Sequence, residues 1–300
     1  MRLLVVGANG LLGSNVVHAG RRRGWSLCGT YHSTRPDFEI PLSALDLRSP
    51  ERFSDILAEY EPDAVINCAA MTDVDGCESN PELAHALNSE GPQRLALDCR
   101  TRDIEFVHVS TDYVFDGTKR DPYCESDRPN PQQVYGESKL AGEESVMATM
   151  SSALVVRLAL VWGVHRSKKT LTGFPAWVRD KLHENTPVPV FSDQWVTPTR
   201  AGHAAEAILD LLATDHTGIA HVASSSCITP YEFGRRIAER LDASENSLVS
   251  VSTESVERAA ARPAYSCLDV QKVESLLGRP QPTIDDDLDA VDLDSSADQI

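Results

Sequence analysis

The chain has 300 residues, of which 41% are hydrophobic, enough for one large domain or for one domain with a smaller lobe. Its formal net charge of −17 arises from 45 acidic against 28 basic residues. A surface of this sign repels phosphate backbones, so we expect no nucleic acid partner. No apolar run approaches the roughly 18–20 residues needed to cross a bilayer, and no signal-peptide pattern follows Met1, so we expect a cytoplasmic protein with no membrane partner.

The acidic excess has two explanations. Net charge by itself keeps a protein soluble. Alternatively, a halophilic protein in a salt-rich cell interior carries exposed carboxylates in place of lysines, and only six of the basic residues are lysine. Charge bears on solubility more than on fold, and the sequence favours neither explanation.

The seven cysteines are dispersed along the chain, with no Cys-x-x-Cys pair and no Cys/His cluster. An odd, dispersed set is typical of reduced thiols in a reducing compartment, so we predict neither a disulfide framework nor a metal site. The cysteines are Cys28, Cys68, Cys77, Cys99, Cys124, Cys227 and Cys267.

The first half of the chain alternates short apolar segments with longer segments of helical pattern. In chain order, the predicted elements are strand 3–6, helix 11–23, strand 26–31, strand 64–67, helix 81–102, strand 104–109, helix 132–150 and strand 153–160. Strands separated by helices of this length predict an α/β fold, a Rossmann-type doubly wound parallel sheet with helices on both faces. We assign residues 1–160 to this dinucleotide-binding domain.

After residue 160 the alternation is less regular. Helices are predicted at 174–184, 203–213, 230–241 and 270–277, and short strands at 188–191 and 219–222. We expect residues 161–284 to form mostly a smaller substrate-binding lobe, interleaved with the sheet domain. Residues 285–300 are rich in aspartate and poor in large apolar groups, so we expect an acidic, disordered tail.

A glycine-rich segment, Gly7-Ala-Asn-Gly10-Leu-Leu-Gly13, lies between the first predicted strand and the first helix. Gly7 permits a tight turn, Gly10 lets the backbone approach a pyrophosphate, and Gly13 allows close helix–strand packing. The helix N-terminus then offers unpaired N–H groups to the phosphates. Such a segment is sometimes only a turn, but its place at the start of a strand–turn–helix unit favours dinucleotide binding. The residues expected to contact the cofactor are Gly7, Asn9, Gly10, Leu11, Leu12 and Gly13.

The end of the second strand bears on which dinucleotide binds. Residues 30–35 contain no carboxylate to accept hydrogen bonds from a ribose 2′-OH, whereas their hydroxyl groups, His32 and Arg35 suit a 2′-phosphate. We therefore favour NADP over NAD, with Arg35 as a phosphate ligand. The alternative is an ordinary polar loop, with Asp37 or Glu39 folded back onto the ribose of NAD.

Tyr135 and Lys139 are four residues apart in a predicted helix and so share one face. A free phenol titrates near pH ~10, and a nearby ammonium, together with the charge of an oxidised nicotinamide, lowers that pKa. Tyr135 is then suited to act as a general acid toward a carbonyl oxygen. A Tyr-x-x-x-Lys pair by itself is common on surface helices.

Ser110 and Thr111 end a predicted parallel strand, where open α/β sheets bind ligands. The Thr111 hydroxyl is placed to hydrogen-bond the same substrate oxygen as Tyr135. The alternative is a helix cap or a turn. Because the three pieces occur together in chain order, we favour a catalytic site made of Thr111, Tyr135 and Lys139.

With these motifs and several others, the chain resembles the extended short-chain dehydrogenases/reductases and, within them, the dTDP-4-dehydrorhamnose reductases. The resemblance covers residues 1 to about 280. Besides the glycine turn, the matching motifs are Asn67-Cys-Ala-Ala70-Met-Thr72-Asp-Val-Asp75-x-x-Glu78, Asn88, Ser110-Thr-Asp-Tyr-Val-Phe-Asp-Gly117, Tyr123-x-Glu125-x-Asp127, Tyr135-Gly-x-Ser-Lys-Leu-x-Gly-Glu143, Asp193-Gln194-x-x-x-Pro198-Thr199 and Arg262-Pro263-x-x-Ser266-x-Leu268-Asp269.

The resemblance implies roles for individual residues. Thr111, Tyr135 and Lys139 are the catalytic residues, and Lys139 also holds the cofactor ribose. Further cofactor-binding residues implied by it are Asp46 and Leu47 beside the adenine, and Ala69, Ala70 and Thr72 after the third strand. The substrate-binding residues are Ser110, Thr111 and Arg262, whose guanidinium is a bidentate phosphate ligand.

Two positions depart from the family pattern. Leu160 stands where members usually carry a tryptophan that contacts the sugar, and Gln194-Trp195-Val196 replaces a Gln-x-Gly segment. The pocket is therefore open to a different sugar or to another carbonyl compound.

The function implied by the resemblance is NAD(P)H-dependent reduction of the 4-keto group of a nucleoside-diphosphate deoxy-sugar, as in dTDP-rhamnose biosynthesis. One alternative is a nucleotide-sugar epimerase or dehydratase, because the same residues serve those reactions. Another is a non-catalytic regulatory subunit that resembles that of methionine adenosyltransferase. We expect a nucleotide-sugar as substrate, and a homodimer is left open as the assembly.

Overall fold

The structure is a computed structural model that describes residues 1–294, so the end of the predicted tail, 295–300, lies outside the described residues. The strands are β1 (Arg2–Val6), β2 (Ser26–Tyr31), β3 (Leu42–Ala44), β4 (Ala64–Asn67), β5 (Glu105–Thr111), β6 (Leu154–Leu158), β7 (Val161–His165), β8 (Thr170–Thr172), β9 (Val188–Phe191), β10 (Thr199–Arg200), β11 (Gly218–His221) and β12 (Leu248–Val251). The α-helices are α1 (Leu11–Arg22), α2 (Pro50–Tyr60), α3 (Val74–Ser79), α4 (Pro81–His85), α5 (Gly91–Thr101), α6 (Val134–Thr149), α7 (Phe174–His183), α8 (Ala201–Leu212), α9 (Pro230–Arg240), α10 (Gln271–Leu277) and α11 (Ile284–Asp289). Within residues 1–294, no helix is long and apolar enough to cross a membrane.

Seven strands form one parallel sheet in the order β3-β2-β1-β4-β5-β6-β11. The strand order changes direction between β1 and β4, where Val6 pairs with Asn67 at the carboxyl ends of the two strands. In open α/β sheets, ligands bind in the crevice beyond such a point. The topology confirms the predicted Rossmann-type, doubly wound fold.

The side chains of β1 alternate between two apolar cores, one on each face of the sheet. Leu3 and Val5 pack with residues of α1 and α8, whereas Leu4 and Val6 pack with residues of α2 and α5. All four side chains are almost wholly buried. Full burial of one such side chain contributes about 1.5–3 kcal/mol to folding stability. The apolar side chains of β1 therefore hold the sheet between its helices.

The chain after β6 forms two small sheets and adds one further strand, β11, to the large sheet. Strands β10, β7 and β8 form one small sheet, and β12 and β9 form the other. A third apolar core, which includes Trp162 and Phe233, packs β7 and β9 against α7 and α9. Because β11 pairs with β6 at the edge of the large sheet, the two parts of the chain are interleaved.

The predicted helix 81–102 is interrupted in the structure. A π-helical segment, Ala86–Glu90, separates α4 from α5, and the amide of Gly91 donates to the carbonyl oxygen of Ala86. Pro92 follows directly, and proline has no N–H to continue regular i→i−4 bonding. The sequence also did not predict the elements β3, α2, α3, β7, β8, β10 and β12.

The prediction of a disordered tail is wrong for residues 285–294. Thr283 caps α11 through a reciprocal bond with Asp286, and Ile284 and Leu288 are buried four residues apart. Asp287 is fully buried, and its carboxylate accepts from Arg200 Nε at 2.9 Å. The amino-acid composition did not predict this helix, because its aspartates cap the N-terminus or pair with an arginine that is distant in sequence.

The prediction of seven reduced thiols is also wrong. Cys227 and Cys267 form a disulfide, with Cα atoms 5.6 Å apart although the residues are 40 positions apart in sequence. This Cα distance is ordinary for a disulfide. Sequence spacing gave no sign of the pair, because the fold alone brings the loop after β11 against the segment before α10.

Candidate functional site

A cleft of about 1110 Å³ lies at the carboxyl ends of the central strands and is also lined by residues of the small sheets. This volume exceeds the roughly 300–1,000 Å³ of a typical single-ligand pocket, so the cleft has room for two ligands side by side. The predicted site residues that line it are Gly7, Asn9, Gly10, Leu11, Leu12, Ala69, Ala70, Thr72, Ser110, Thr111, Tyr135, Lys139 and Arg262.

The glycine turn forms one end of the cleft. Gly7 has a φ of +81°, and a Cβ atom there would lie 2.9 Å from the amide nitrogen of Ala69. A Cβ atom at Gly13 would lie 2.2 Å from the carbonyl oxygen of Gly7, so both positions require glycine. Helix α1 begins directly after Gly10 with no side-chain cap among the described residues. The N–H groups of its first turn are therefore available to an anion in the cleft.

Asn88 secures the segment after β4 that carries Ala69, Ala70 and Thr72. Its Oδ1 atom accepts from the Met71 amide at 2.8 Å, and its Nδ2 atom donates to the Met71 carbonyl oxygen at 3.0 Å. Nδ2 also lies 3.0 Å from the Ser138 hydroxyl of α6. Because Asn88 belongs to the π-helical segment, this break in the helix fixes part of the cleft wall.

Thr111, Tyr135 and Lys139 meet in the middle of the cleft. Thr111 ends β5, and Tyr135 and Lys139 lie one turn apart on α6. The Thr111 hydroxyl is near enough to the Tyr135 phenol to favour its ionised form. Lys139 Nζ donates to the carbonyl oxygen of Val109 at 2.5 Å. The structure thus brings together the three residues that the sequence indicated.

Burial controls the titration of both α6 side chains. It raises the pKa of the Tyr135 phenol above its usual range, while the nearby Thr111 hydroxyl acts in the opposite direction. Burial lowers the pKa of Lys139 to about 8, against an opposing effect of Glu143. The Tyr135 pKa is therefore not lowered as the sequence predicted, because the burial of the phenol outweighs the effects that favour its ionised form. Tyr135 is therefore protonated at neutral pH, as a proton donor must be.

The Ser110 hydroxyl donates its hydrogen bond to a protein side chain and not to a substrate. It donates to Glu143 Oε1 at 2.5 Å, and Glu143 Oε2 accepts from Arg157 Nη2 at 2.6 Å. The side chains of Glu143 and Arg157 are at most 3% exposed. Ser110 lines the cleft, but its one hydrogen belongs to this buried ion pair.

Two arginines line the part of the cleft near Asp75 and Tyr113. Arg262 Nη2 donates to Asp75 Oδ2 at 2.8 Å, which anchors it to α3. Arg258 lies over the ring of Phe191, 4.6 Å from its centre. Two guanidinium groups in one part of a cleft form a site suited to a diphosphate.

Four predicted cofactor residues do not line the cleft. Gly13 is packed against Gly7, and Leu47 is buried in the core between α2 and α5. The Asp46 carboxylate accepts from Arg48 Nη2 at 2.6 Å, and this bond lowers its pKa to about 2. Arg35 is exposed. Its neighbours in the same loop line the cleft instead, namely His32, Ser33 and Thr34.

The family model of the RmlD substrate binding domain matches residues 1–294. The chain belongs to this family.

Similar proteins support the assignment. "Probable low-salt glycan biosynthesis reductase Agl14" from Haloferax volcanii is 48% identical over 292 residues, 97% of each chain. The dTDP-4-dehydrorhamnose reductase of Mycobacterium tuberculosis H37Rv is 36% identical over 272 residues, 89% of this chain and 84% of that protein. A crystal structure of dTDP-4-dehydrorhamnose reductase from Bacillus anthracis in complex with NADP matches with a TM-score of 0.83 at 28% identity, covering 96% of this chain and 97% of that one. These findings confirm the family resemblance inferred from the motifs.

The RmlD-family cleft has an apolar wall of which the sequence indicated only Leu160. Trp177 of α7 is 38% exposed, and Leu160, which has a φ of +37°, is also 38% exposed. Apolar side chains left open inside a cleft are typical of ligand contacts. The other lining residues that the sequence did not indicate include Phe174, Phe191, Val256 and Arg258. No local pattern marked them, because they come from separate elements that only the fold brings together.

Proposed function

We propose that the chain is an NADPH-dependent reductase of the 4-keto group of a nucleoside-diphosphate deoxy-sugar. The observation that carries this proposal is that a protonated phenol, an ammonium and a hydroxyl line one cleft together with a helix N-terminus that has no side-chain cap and an arginine pair. The relatives named as reductases favour reduction over epimerisation or dehydration.

The residues at the glycine turn fit a dinucleotide. A side chain at Gly7 or Gly13 would clash with backbone, so the turn leaves a cradle beside the free N–H groups of α1. In our proposal Leu11 and Leu12 bind the pyrophosphate through these groups, and Lys139 lies at the nicotinamide ribose. The cofactor supplies a hydride when it is bound. The NADP in the related B. anthracis structure supports the choice of NADP.

Tyr135 is the proposed proton donor. As the ketone carbon gains a hydride, Tyr135 Oη gives its proton to the carbonyl oxygen, and the product is a secondary alcohol. The Lys139 ammonium stabilises the phenolate that remains. Thr111 donates a hydrogen bond to the same carbonyl oxygen, which lowers the barrier by stabilising the charge that develops there.

The part of the cleft lined by the two arginines is proposed to hold the nucleotide-sugar. Arg258 and Arg262 are suited to its diphosphate. Leu160 and Trp177 offer apolar surface to the part of a deoxy-sugar that has lost a hydroxyl group.

A direct assay of purified protein tests the function. We expect dTDP-4-dehydrorhamnose to oxidise NADPH with equal amounts of alcohol formed, and dTDP-glucose with NAD to give no product. Water loss from dTDP-glucose, or inversion of a sugar without NADPH consumption, would instead indicate the dehydratase or epimerase. No turnover with any nucleotide-sugar, together with a co-purifying second enzyme, would indicate the regulatory subunit.

A cytoplasmic location is part of the same proposal, whereas the homodimer and the halophilic surface are alternatives that experiment decides. Cell fractionation tests the location, and light scattering of the purified protein tests the assembly. Salt dependence is treated among the predictions below.

A further inference from the structure

The hydrogen bonds of Thr111 determine whether its hydroxyl can reach a substrate. Thr111 Oγ1 accepts from the backbone N–H of Tyr113 at 3.2 Å and lies 3.0 Å from Asp112 Oδ1. A hydroxyl group has one hydrogen. If Asp112 is a carboxylate, it takes that hydrogen, and none is left for a substrate carbonyl oxygen.

The surroundings of Asp112 disfavour a carboxylate. Asp112 is only 3% exposed and forms no ion pair with any residue in the range 1–294. The buried acids Glu143 and Asp287, by contrast, are each paired with an arginine. A buried charge with no paired cation is costly.

The groups that face the Asp112 carboxyl are neutral. The Thr111 hydroxyl hydrogen-bonds it, and the Ser266 hydroxyl, from the segment before α10, and the backbone N–H groups of Asp112 and Tyr113 also favour its ionised form. The titratable side chains that interact with it are the phenols of Tyr113 and, from α6, Tyr135. Two more distant cations, Arg258 and Arg262, act on Tyr113. Burial raises the pKa of Asp112 to about 6, against the effect of these hydrogen bonds.

We propose that Asp112 works as a neutral carboxylic acid, whose O–H donates to Thr111 Oγ1 and so frees the Thr111 hydrogen for the substrate carbonyl oxygen. Asp112 is a positioning residue, because it acts through Thr111. It keeps its proton through the turnover, and the proton that reaches the product comes from Tyr135. The inference rests on the proposed function, which supplies the carbonyl group.

The pH dependence of reduction follows from this arrangement. When Asp112 ionises, it takes the Thr111 hydrogen, and the carbonyl oxygen loses one donor. Loss of one such donor costs about 10²–10³-fold in rate, so the rate should fall in a first step as pH rises through about 6. Loss of the Lys139 proton should give a second step near 8.

Single-turnover reduction between about pH 5 and about pH 9, a range that brackets both groups, tests the proposal. In Asp112→Asn, the amide N–H donates to Thr111 at every pH, so we expect the first step to disappear and the second to remain. The variant should then be faster than the wild type at pH values between the two steps, which loss of a merely structural residue would not produce. Thr111→Val should be slow throughout and should also lack the first step.

Two results of this experiment would overturn the inference. An unchanged first step in Asp112→Asn would assign that step to another group. An Asp112→Asn variant as slow as Thr111→Val at all pH values would mean that the ionised carboxylate is needed. Titration of the Asp112 carboxyl carbon by NMR in the unmutated protein is independent of activity and of the variant's folding. A pKa near 6 supports the inference even if the proposed substrate fails, and one near the ordinary 3.8 contradicts it.

Discussion

Lys139 Nζ and the Val109 carbonyl oxygen are 2.5 Å apart, a bond that ties α6 to β5 two residues before Thr111. Lys139 is only 2% exposed. Glu143, one turn further along α6, pairs with Arg157 rather than with Lys139. The ammonium therefore sits between a backbone dipole and the cleft, with no carboxylate among the described residues in ion-pair contact.

Lys139 should make both the reduction rate and the folding stability vary with pH in the alkaline range. Its pKa of about 8 lies below the ordinary 10.5, so the ammonium is lost as pH rises through 8, and the reduction rate should fall there. Between 8 and 10.5 the unfolded chain binds more protons at this site than the folded chain, so this site's contribution to folding stability should rise with pH across that window. Rate profiles and urea unfolding at several pH values measure the two effects.

Lys139→Met should remove both pH effects and also weaken cofactor binding, because Lys139 is assigned a second role at the ribose. Lys181→Met is the matched control, since Lys181 is on α7, pairs with Glu184 and does not line the cleft. An alkaline step in the rate that persists in Lys139→Met would assign it to another group.

Tyr135→Phe should leave cofactor binding in place and lower the single-turnover rate of reduction by about 10²–10⁴-fold, the usual contribution of a general acid. Tyr60→Phe is a suitable control, because the Tyr60 hydroxyl bonds Ser43 of β3 and Tyr60 does not line the cleft. Tyr113 is unsuitable, since its ring packs edge to face with that of Tyr135 at 6.1 Å. Retention of more than about a tenth of the rate would show that Tyr135 is not the acid.

Arg35 should decide between NADPH and NADH although it lies outside the cleft wall. It is exposed, follows the lining residue Thr34, and has no ion-pair partner among the described residues, so its guanidinium is available to a 2′-phosphate. Arg35→Ser should weaken NADPH binding by about 1.5–3 kcal/mol and leave NADH binding unchanged. Fluorescence titration measures both, with the exposed Arg52→Ser as control. Equal affinities of the unmutated protein for the two cofactors would contradict the assignment.

The disulfide should be detectable by counting thiols. Protein purified without reductant and alkylated after denaturation should show five modified cysteines, and all seven after reduction. Closing a loop of this length stabilises a fold by about 3–4 kcal/mol, so reduction or Cys227→Ser should lower the melting temperature. Cys124→Ser, which removes a free thiol, should not. Seven reactive thiols before reduction would refute the pairing.

Salt should continue to stabilise the protein at concentrations above those at which charge screening is nearly complete. At about 0.15 M salt the Debye length is already about 8 Å, so most repulsion among the surplus acidic groups is screened there. If the surface is halophilic, the melting temperature should keep rising toward molar KCl through hydration and ion binding. A plateau below that range would leave solubility as the only role of the charge.

The sequence by itself determined the features that depend on local periodicity. Alternating strand and helix patterns predicted the parallel sheet, and the glycine turn marked one end of the cleft, because a turn and a following helix are encoded within seven residues. Tyr135 and Lys139 were found in the same way, since a helix places residues four apart on one face. Thr111 was found because strands of a parallel sheet end at a common edge.

Only the tertiary structure decided the contacts between distant segments. It paired Arg262 with Asp75, 187 positions away, and joined Cys227 to Cys267. It also docked α11 onto Arg200, where composition had indicated disorder. Above all it buried Asp112 without a paired cation in the range 1–294, and that burial sets whether the group carries a charge. Burial and pairing depend on which segments meet in space, and local sequence patterns do not contain that information.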